Sequence, residues 1–160
     1  PEQSDLALAD DRFVQHRVAL LHLGVDVLVL DEAHELGADD ADPEHAHAYN
    51  ALGYSLADRG LRLEEAQALI EQAIELSPDD PFILDSLGWV RFRRGDAAGA
   101  LADLERAYDI RPDAEIAAHL GEVLWALGRR DDADRIFNAA LARTADNDLL
   151  NRTITRLRGR

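Results

Sequence analysis

A motif that recurs about every 34 residues constrains the fold of this chain more than any other feature. Leu-Gly pairs, later glycines, two sets of alanines and a set of prolines keep nearly the same spacing through three successive units. The Leu-Gly pairs lie at 52–53, 87–88 and 120–121, the later glycines at 60, 95 and 128, the alanines at 66, 100 and 133 and again at 73, 107 and 140, and the prolines at 43, 78 and 112. Units of this length stack into a solenoid, because one unit cannot bury its apolar face alone.

Each marker has a physical role in a pair of antiparallel helices. The apolar residues between the markers recur at i, i+3, i+4 and i+7, which is the spacing of one buried helix face. Small residues such as Gly53 and Ala73 let two helices approach closely. Gly60 and its equivalents end the first helix of each unit, where a left-handed cap suits glycine. Pro78 and Pro112 end one helix pair and precede the next, so each unit is predicted to be a helical hairpin.

The combined pattern resembles the tetratricopeptide repeat (TPR), with three units over about 46–145. The resemblance implies an all-α fold, a right-handed superhelical array of antiparallel helix hairpins. Residues 43–147 are predicted to hold the three units, and residues 1–42 a degenerate N-terminal hairpin followed by a loop. Three residues depart from the family pattern: Arg91 and Arg94 replace apolar seam residues, and Ala145 replaces the closing proline.

Residues 148–160 are predicted to form a C-terminal capping helix, because a terminal repeat would otherwise leave its apolar face bare. Leu150, Ile154 and Leu157 share one helical face. Asp148 is expected to cap the start of this helix, and Arg156 suits the negative end of its dipole.

The charge and composition exclude several function classes. The chain has 17 basic and 32 acidic residues, a net charge of −15, and no Lys, Cys or Met. A chain this acidic repels phosphate backbones, so no nucleic-acid partner is predicted.

The absence of Cys excludes thiolate nucleophiles, disulfides and cysteine metal sites. No apolar run approaches the roughly 20 residues that span a bilayer, so no direct membrane insertion is expected. The absence of Met and the start at Pro1 suggest a piece of a longer protein.

One segment resembles part of an ATPase. Residues 27–34 read Val-Leu-Val-Leu-Asp-Glu-Ala-His, similar to the strand and acidic pair that hold magnesium in helicase-type ATPases. That chemistry also needs a phosphate-binding loop ending in Gly-Lys-Ser/Thr. Because the chain contains no lysine, ATPase function is not predicted.

The histidines and serines do not predict a catalytic or metal site. His45 and His47 lie near several carboxylates but point in different directions from a helix start. His16 and His119 are expected on helix surfaces. The serines show no nucleophile-elbow pattern and no paired base. We therefore predict no enzyme activity, no cofactor and no metal.

The predicted partner site is a stripe on the first helices, which line the concave wall of such an array. Counting outward from the Leu-Gly pairs, the stripe comprises His47, Asn50, Tyr54, Phe82, Asp85, Trp89, Phe92, Arg93, Glu115, Glu122 and Trp125. Aromatic side chains surrounded by polar ones are typical of binding hot spots. The alternative is that Trp89, Phe92 and Trp125 wedge neighbouring repeats together. The family's carboxylate clamp for chaperone tails relies on lysines, so that ligand is disfavoured.

A narrower resemblance concerns residues 50–59 and 83–90. They are similar to the C-terminal repeats of proteobacterial TPR envelope lipoproteins, some of which are adaptors that deliver substrates to a carboxyl-terminal processing protease. The resemblance implies that this protease or its substrates are the partners. It also implies a periplasmic, outer-membrane-tethered protein; without it, a cytoplasmic location is expected.

The predicted function is a protein–protein interaction scaffold that binds a peptide or protein in the concave groove, as part of a larger bacterial adaptor. The alternative is a structural or oligomerising subunit of an envelope assembly, such as polysaccharide export. Light scattering distinguishes the two, because the second predicts oligomers that grow with concentration.

Overall fold

Seven α-helices make up residues 43–159, the part of the chain that the computed structural model describes, with side chains described from residue 45. The helices are α1 (Pro43–Asp58), α2 (Leu63–Leu76), α3 (Pro81–Arg93), α4 (Ala97–Ile110), α5 (Ala114–Ala126), α6 (Arg130–Arg143) and α7 (Asp148–Arg158). No strand occurs between residues 43 and 159. The hairpin and loop predicted for residues 1–42 lie outside the described residues.

The helices form three hairpins followed by a single helix. Turns of three or four residues join α1 to α2, α3 to α4 and α5 to α6, and such short turns join antiparallel neighbours. The first helices α1, α3 and α5 contact one another in sequence, whereas α2 and α4 each contact the first helix of the next hairpin. Helix α7 packs on α5 and α6. This topology confirms the predicted all-α array of helix hairpins.

The glycine of each Leu-Gly pair lets the two helices of a hairpin pack closely. A Cβ atom on Gly121 would lie 2.1 Å from Phe137 Cε1, and one on Gly88 would lie 2.5 Å from Leu104 Cγ. Phe137 and Leu104 are fully buried. Any larger residue at these glycines would therefore push the helices apart.

The turn glycines have the left-handed backbone that the repeat pattern predicts. The φ angle is 66° at Gly60, 92° at Gly95 and 79° at Gly128. Glycine adopts this conformation without the steric penalty that a Cβ atom imposes. Each first helix therefore stops at the same point of its repeat.

Polar side chains fix the helix starts. The carboxylates of Asp80, Asp96 and Asp113 accept hydrogen bonds from backbone N–H groups at the starts of α3, α4 and α5. At α7 the cap is Asn147, whose Oδ1 accepts from the Leu150 N–H at 2.9 Å. The prediction of Asp148 as the cap was wrong by one residue. Asp148 lies inside the first turn, where its charge still meets the positive end of the helix dipole.

The two arginines that depart from the family pattern make polar contacts between hairpin helices and between repeats. Arg91 Nη1 donates to Asp103 Oδ2 at 2.6 Å, which joins α3 to α4. Burial raises the pKa of Asp103, and the Arg91 charge offsets only part of this effect. Arg94 is exposed and donates to Gln67 Oε1 of α2 at 2.5 Å. Both guanidinium groups therefore have partners without occupying an apolar seam.

Helix α7 covers the apolar end of the third hairpin. Leu150, Ile154 and Leu157 are buried in the same apolar cluster as Phe137 and Leu124. This cluster extends the apolar core from the third hairpin to α7, the last described helix.

Candidate functional site

All eleven predicted groove residues lie on the first helices α1, α3 and α5, and together they are called the first-helix face below. His47, Phe82, Arg93 and Glu115 are exposed; Asn50, Tyr54, Phe92, Glu122 and Trp125 are half-buried; Asp85 and Trp89 are buried. The four exposed residues are called the rim of the face, and the region around the buried Asp85 and Trp89 is called its floor. A role in partner binding stays a prediction for each of the eleven.

The two buried members form a cluster with His119. His119 Nδ1 lies 3.0 and 2.9 Å from the two carboxylate oxygens of Asp85. Its imidazole stacks on the Trp89 indole with ring centroids 4.3 Å apart, and the Tyr54 ring centroid lies 5.9 Å away. His119 is only 3% exposed, so the prediction of a surface histidine was wrong.

The position of His119 in its repeat explains why it is buried. It directly precedes the Leu-Gly pair of α5, and its side chain meets the neighbouring first helix α3 instead of solvent. Asp85 and His119 are 34 residues apart, which is one repeat length. An acid and a histidine at this separation lie on adjacent first helices, and this is the sequence signal that could have identified the pair.

The surroundings of the cluster shift two pKa values. Burial lowers the pKa of His119, but the Asp85 carboxylate and its hydrogen bond outweigh that effect, so the pKa lies above its usual value. The imidazolium form is thereby favoured. Burial raises the pKa of Tyr54, and the charges of Asp58, Asp85 and Glu115 raise it further. The Tyr54 phenol is therefore neutral at physiological pH.

Three buried polar atoms of this region have no hydrogen-bond partner among the described residues. They are Asn50 Oδ1, Trp89 Nε1 and His119 Nε2. An unpaired buried donor or acceptor costs about 1–3 kcal/mol. Ordered water commonly satisfies such groups, so the floor of the first-helix face has hydrogen-bonding capacity that its own side chains leave unused.

Arginines stack on three aromatic side chains of the first-helix face. The Cζ atom lies 5.8 Å from the ring centroid for Arg93 over Trp89, 5.1 Å for Arg111 over Phe82 and 5.1 Å for Arg130 over Trp125. A guanidinium group over an aromatic face is attracted by the ring quadrupole. The N–H donors of a guanidinium group lie in its own plane, so stacking on a ring does not use them.

The wedge interpretation describes Trp89 well. Its ring contacts α5 through His119 and also lies 5.7 Å from Phe92 on its own helix. Phe92 and Trp125 pack against the core as well, but both stay half-buried and keep part of their surface accessible. Packing and partner contact are therefore compatible for these two.

Two side-chain contacts join members of the face to the helix pair or helix that follows. Arg156 of α7 donates to Glu122 of α5 at 2.6 Å. His47 Nε2 lies 3.7 Å from Asp80, the cap of α3. In each contact one side chain is at least 44% exposed, so each contributes at most about 1 kcal/mol.

No metal site forms within the part of the chain that the structure describes: it contains no group of three or more His, Asp or Glu side chains that could hold an ion. None of the described helices is long and apolar enough to cross a membrane. The acidic segment at residues 27–34 lies outside the described residues.

Family models and related sequences match most of the repeat region. Tetratricopeptide repeat models match residues 46–80 and 91–157. A TPR repeat-containing protein of Pseudomonas aeruginosa is 53% identical over 118 residues, which are 74% of this chain and 20% of that protein. Tetratricopeptide repeat protein 36 of Mus musculus is 36% identical over 124 residues, which are 74% of this chain and 66% of that protein. The chain thus spans about a fifth of the length of the bacterial relative.

Solved structures share the fold at low sequence identity. A thermophilic TPR protein of Thermus thermophilus has a TM-score of 0.66 at 22% identity, covering 88% of this chain and 77% of that one. The first TPR of Spaghetti, bound to an HSP90 peptide, has a TM-score of 0.63 at 17% identity, covering 76% of this chain and 97% of that one. The repeat markers, the helix topology and these matches together show that the chain belongs to the tetratricopeptide repeat family.

Proposed function

We propose that this chain is a protein–protein interaction scaffold that binds a peptide or a protein segment on its first-helix face. The observation that carries the proposal is the composition of the exposed rim. Phe82 is 38% exposed although it is large and apolar, and Arg93 and Glu115 are exposed on the same face. Aromatic residues and arginine are enriched in protein interfaces. The first TPR of Spaghetti holds an HSP90 peptide, which supports peptide binding as a use of this fold.

The ligand is expected to differ from those held by a lysine-based carboxylate clamp. The chain contains no lysine. The cations beside the aromatic residues are the arginines Arg93, Arg111 and Arg130, each stacked on a ring. Arginine binds in a planar, bidentate manner that lysine cannot reproduce. The recognition rules of lysine clamps therefore do not transfer to this face.

We further propose that the scaffold is part of a larger bacterial adaptor. The Pseudomonas aeruginosa relative is 53% identical over 118 residues and about five times longer than the matched segment. The resemblance to envelope adaptors makes a carboxyl-terminal processing protease, or its substrates, the first partners to test. An envelope location follows from the same proposal.

Catalysis is not part of the proposed function. The one buried acid–base pair among the described residues is Asp85–His119. Both hydrogen bonds of His119 go to Asp85, and its ring is 3% exposed. A general base must come within hydrogen-bond reach of a substrate proton, which this burial prevents.

Capture from a bacterial extract tests the proposal when a rim variant is compared with a matched control. The rim variant is Phe82→Ala/Arg93→Ala, which removes one exposed aromatic and one arginine from the first-helix face. The control is Ile110→Ala/Arg106→Ala, which removes an exposed apolar residue and an arginine from the second helix α4. We expect the wild type and the control to retain a protein, identified by mass spectrometry, that the rim variant loses.

Circular dichroism of all three proteins separates loss of binding from loss of folding. If both variants are folded and retain the same protein equally, the first-helix face is not the binding site. If only the control loses it, the partner binds the outer surface of the second helices. Either result contradicts the proposal.

A further inference from the structure

One buried pair of charges joins the three repeats. Asp85 belongs to α3, His119 to α5 and Tyr54 to α1. The imidazole of His119 contacts all three helices through its hydrogen bonds to Asp85, its stacking on Trp89 and its approach to Tyr54. Among the described residues, Asp85 and His119 are the only ionisable side chains that are buried. A single proton on His119 therefore affects contacts among all three first helices.

Opposing effects act on that proton. Both Asp85 oxygens lie within 3.0 Å of His119 Nδ1 and have no other hydrogen-bond partner among the described residues, which favours the imidazolium. Stacking on Trp89 at 4.3 Å favours it as well. Burial disfavours the charge, and Nε2 has no hydrogen-bond acceptor within the described region. The net result is a His119 pKa above its usual value. The attraction of the Asp85 charge therefore exceeds the cost of burying the imidazolium, although that cost is still present.

The other charges that face His119 are negative. They come from Asp58 on α1 and from Glu122 on α5 itself, and both raise the pKa of His119. Glu122 is paired with Arg156 of α7 at 2.6 Å. The charged residues that raise the pKa of His119 thus all belong to the first helices α1, α3 and α5. When His119 loses its proton, the carboxylates of Asp85, Asp58 and Glu122 therefore lose the positive charge that lies among them.

We propose that the Asp85–His119 pair is a protonation-dependent lock between the first helices of the three repeats, closed while His119 carries its proton. Neutral His119 can still donate from Nδ1 to Asp85. The buried carboxylate nevertheless loses its counter-charge, and a buried unpaired charge is unfavourable. The contacts of Tyr54 and Trp89 with the ring then weaken, and the first-helix face changes shape. An effect on partner affinity rests on the proposed function, whereas the lock itself does not.

The first experiment follows His119 and Trp89 without any partner. The chain has two tryptophans, so in a Trp125→Phe variant all tryptophan fluorescence comes from Trp89. Titration of the His119 ring protons by NMR should give a midpoint above about 6.5, the ordinary value for histidine. Trp89 emission should change with the same midpoint, because the two rings are stacked. A midpoint at or below the ordinary value, or Trp89 emission that is flat through the midpoint, overturns the proposal.

The second experiment tests whether protonation holds the helices together. The double variant Asp85→Asn/His119→Gln removes both charges but keeps polar side chains that can bond each other. A folded-state pKa above the unfolded value gives stability that is complete below the unfolded pKa and is lost as pH rises through the folded pKa. The wild-type Tm should therefore fall over that window, and the amide protection factors in α3 and α5, which compare each exchange rate with that of an unstructured peptide at the same pH, should fall as well.

In the double variant, neither the Tm nor the amide protection should change over this pH window. If the two residues had a purely structural role, the variant would not be expected to lose the pH dependence. If its Tm and its amide protection factors change with pH as those of the wild type do, the lock is refuted. Once a partner is known, its affinity should fall over the same window for the wild type only. A lock that responds to pH while affinity stays constant would leave the lock intact and show that the proposed binding face is wrong.

Discussion

Two kinds of helix contact hold this array together, and they differ in chemistry. Inside a hairpin, a glycine of the first helix meets a large apolar side chain of the second, as Gly121 meets the fully buried Phe137. Between hairpins, the first helices meet over a charged pair, Asp85 and His119, with the rings of Tyr54 and Trp89 around it. The first contact recurs in every repeat, and the second occurs once in the described array.

The difference separates what maintains the fold from what can respond to conditions. Apolar burial is non-directional and roughly proportional to the area removed from water, so the contacts between a glycine and an apolar side chain keep their strength across the pH range in which proteins work. A buried ion pair depends on both partners being charged and well placed. Of these two kinds of contact, the one between first helices is therefore the one that pH can change, and it lies under the face proposed to bind a partner.

The largest expected effect on stability comes from truncating the buried side chain that packs between the two helices of a hairpin. Phe137→Ala should lower the free energy of unfolding by about 3–5 kcal/mol, the usual cost of truncating a fully buried phenylalanine. Urea denaturation followed by circular dichroism measures the loss. Exposed Asn138, the next residue of α6, provides the control, since Asn138→Ala should change the value by less than about 0.5 kcal/mol. A loss below 1 kcal/mol in Phe137→Ala would mean that the hairpins do not depend on this contact.

The next effect should be asymmetric between the two members of the charged pair. At pH 7, His119→Gln leaves the Asp85 carboxylate buried and unpaired and should cost about 3–5 kcal/mol. Asp85→Asn should cost less, roughly 1–2 kcal/mol, because the imidazole can release its proton and become neutral. Chemical denaturation of both single variants checks the order. Equal costs would indicate that charge is unimportant and that the contact between first helices resembles the apolar hairpin contact.

A smaller effect concerns the cap of the last helix. Asn147→Ala removes the side chain that accepts the Leu150 N–H and should cost about 1 kcal/mol. Asp148→Ala should cost only a few tenths of a kcal/mol, because Asp148 contributes through the helix dipole alone. Thermal unfolding of the two variants compares them directly. If Asp148→Ala proves the more damaging, the helix start is capped by Asp148 as the sequence suggested.

The smallest effect is expected at the ion pair between α7 and the first-helix face. Arg156→Ala breaks the ion pair with Glu122, in which the arginine side chain is 44% exposed, and should cost about 0.2–1 kcal/mol. The cost should shrink in 1 M salt, which screens exposed charges. Denaturation at low and high salt tests this. If Arg156→Ala costs more than Asp85→Asn, the Arg156–Glu122 pair contributes more to stability than the buried Asp85–His119 pair.

Sequence pattern predicted the array because its markers act locally. A glycine with a φ angle of 79° at Gly128, or a glycine where two helices nearly touch at Gly121, is required by the backbone of a single hairpin. Such requirements recur with the repeat and can be seen without knowing any neighbour. The helix faces follow equally directly, since residues i, i+3 and i+4 lie on the same side of a helix.

The floor of the candidate site could be predicted only in part. Asp85 and Trp89 were placed on the first-helix face by counting from the Leu-Gly pairs, and the wedge alternative anticipated the packing of Trp89. The burial of Asp85 and the role of His119 were not predicted. The cap at Asn147 was missed as well, because Asn147 and Asp148 are equally suitable by residue type and only the helix start selects between them.

The sequence by itself determined the hairpins, their number in residues 43–147 and the stripe of first-helix residues, because each depends on contacts within one repeat. Tertiary structure decided which of those side chains are exposed and which charges pair. Asp85 and His119 are 34 residues apart and meet only because the angle between successive hairpins brings α3 against α5. That angle is set by the packing of the whole array, and no local pattern contains it.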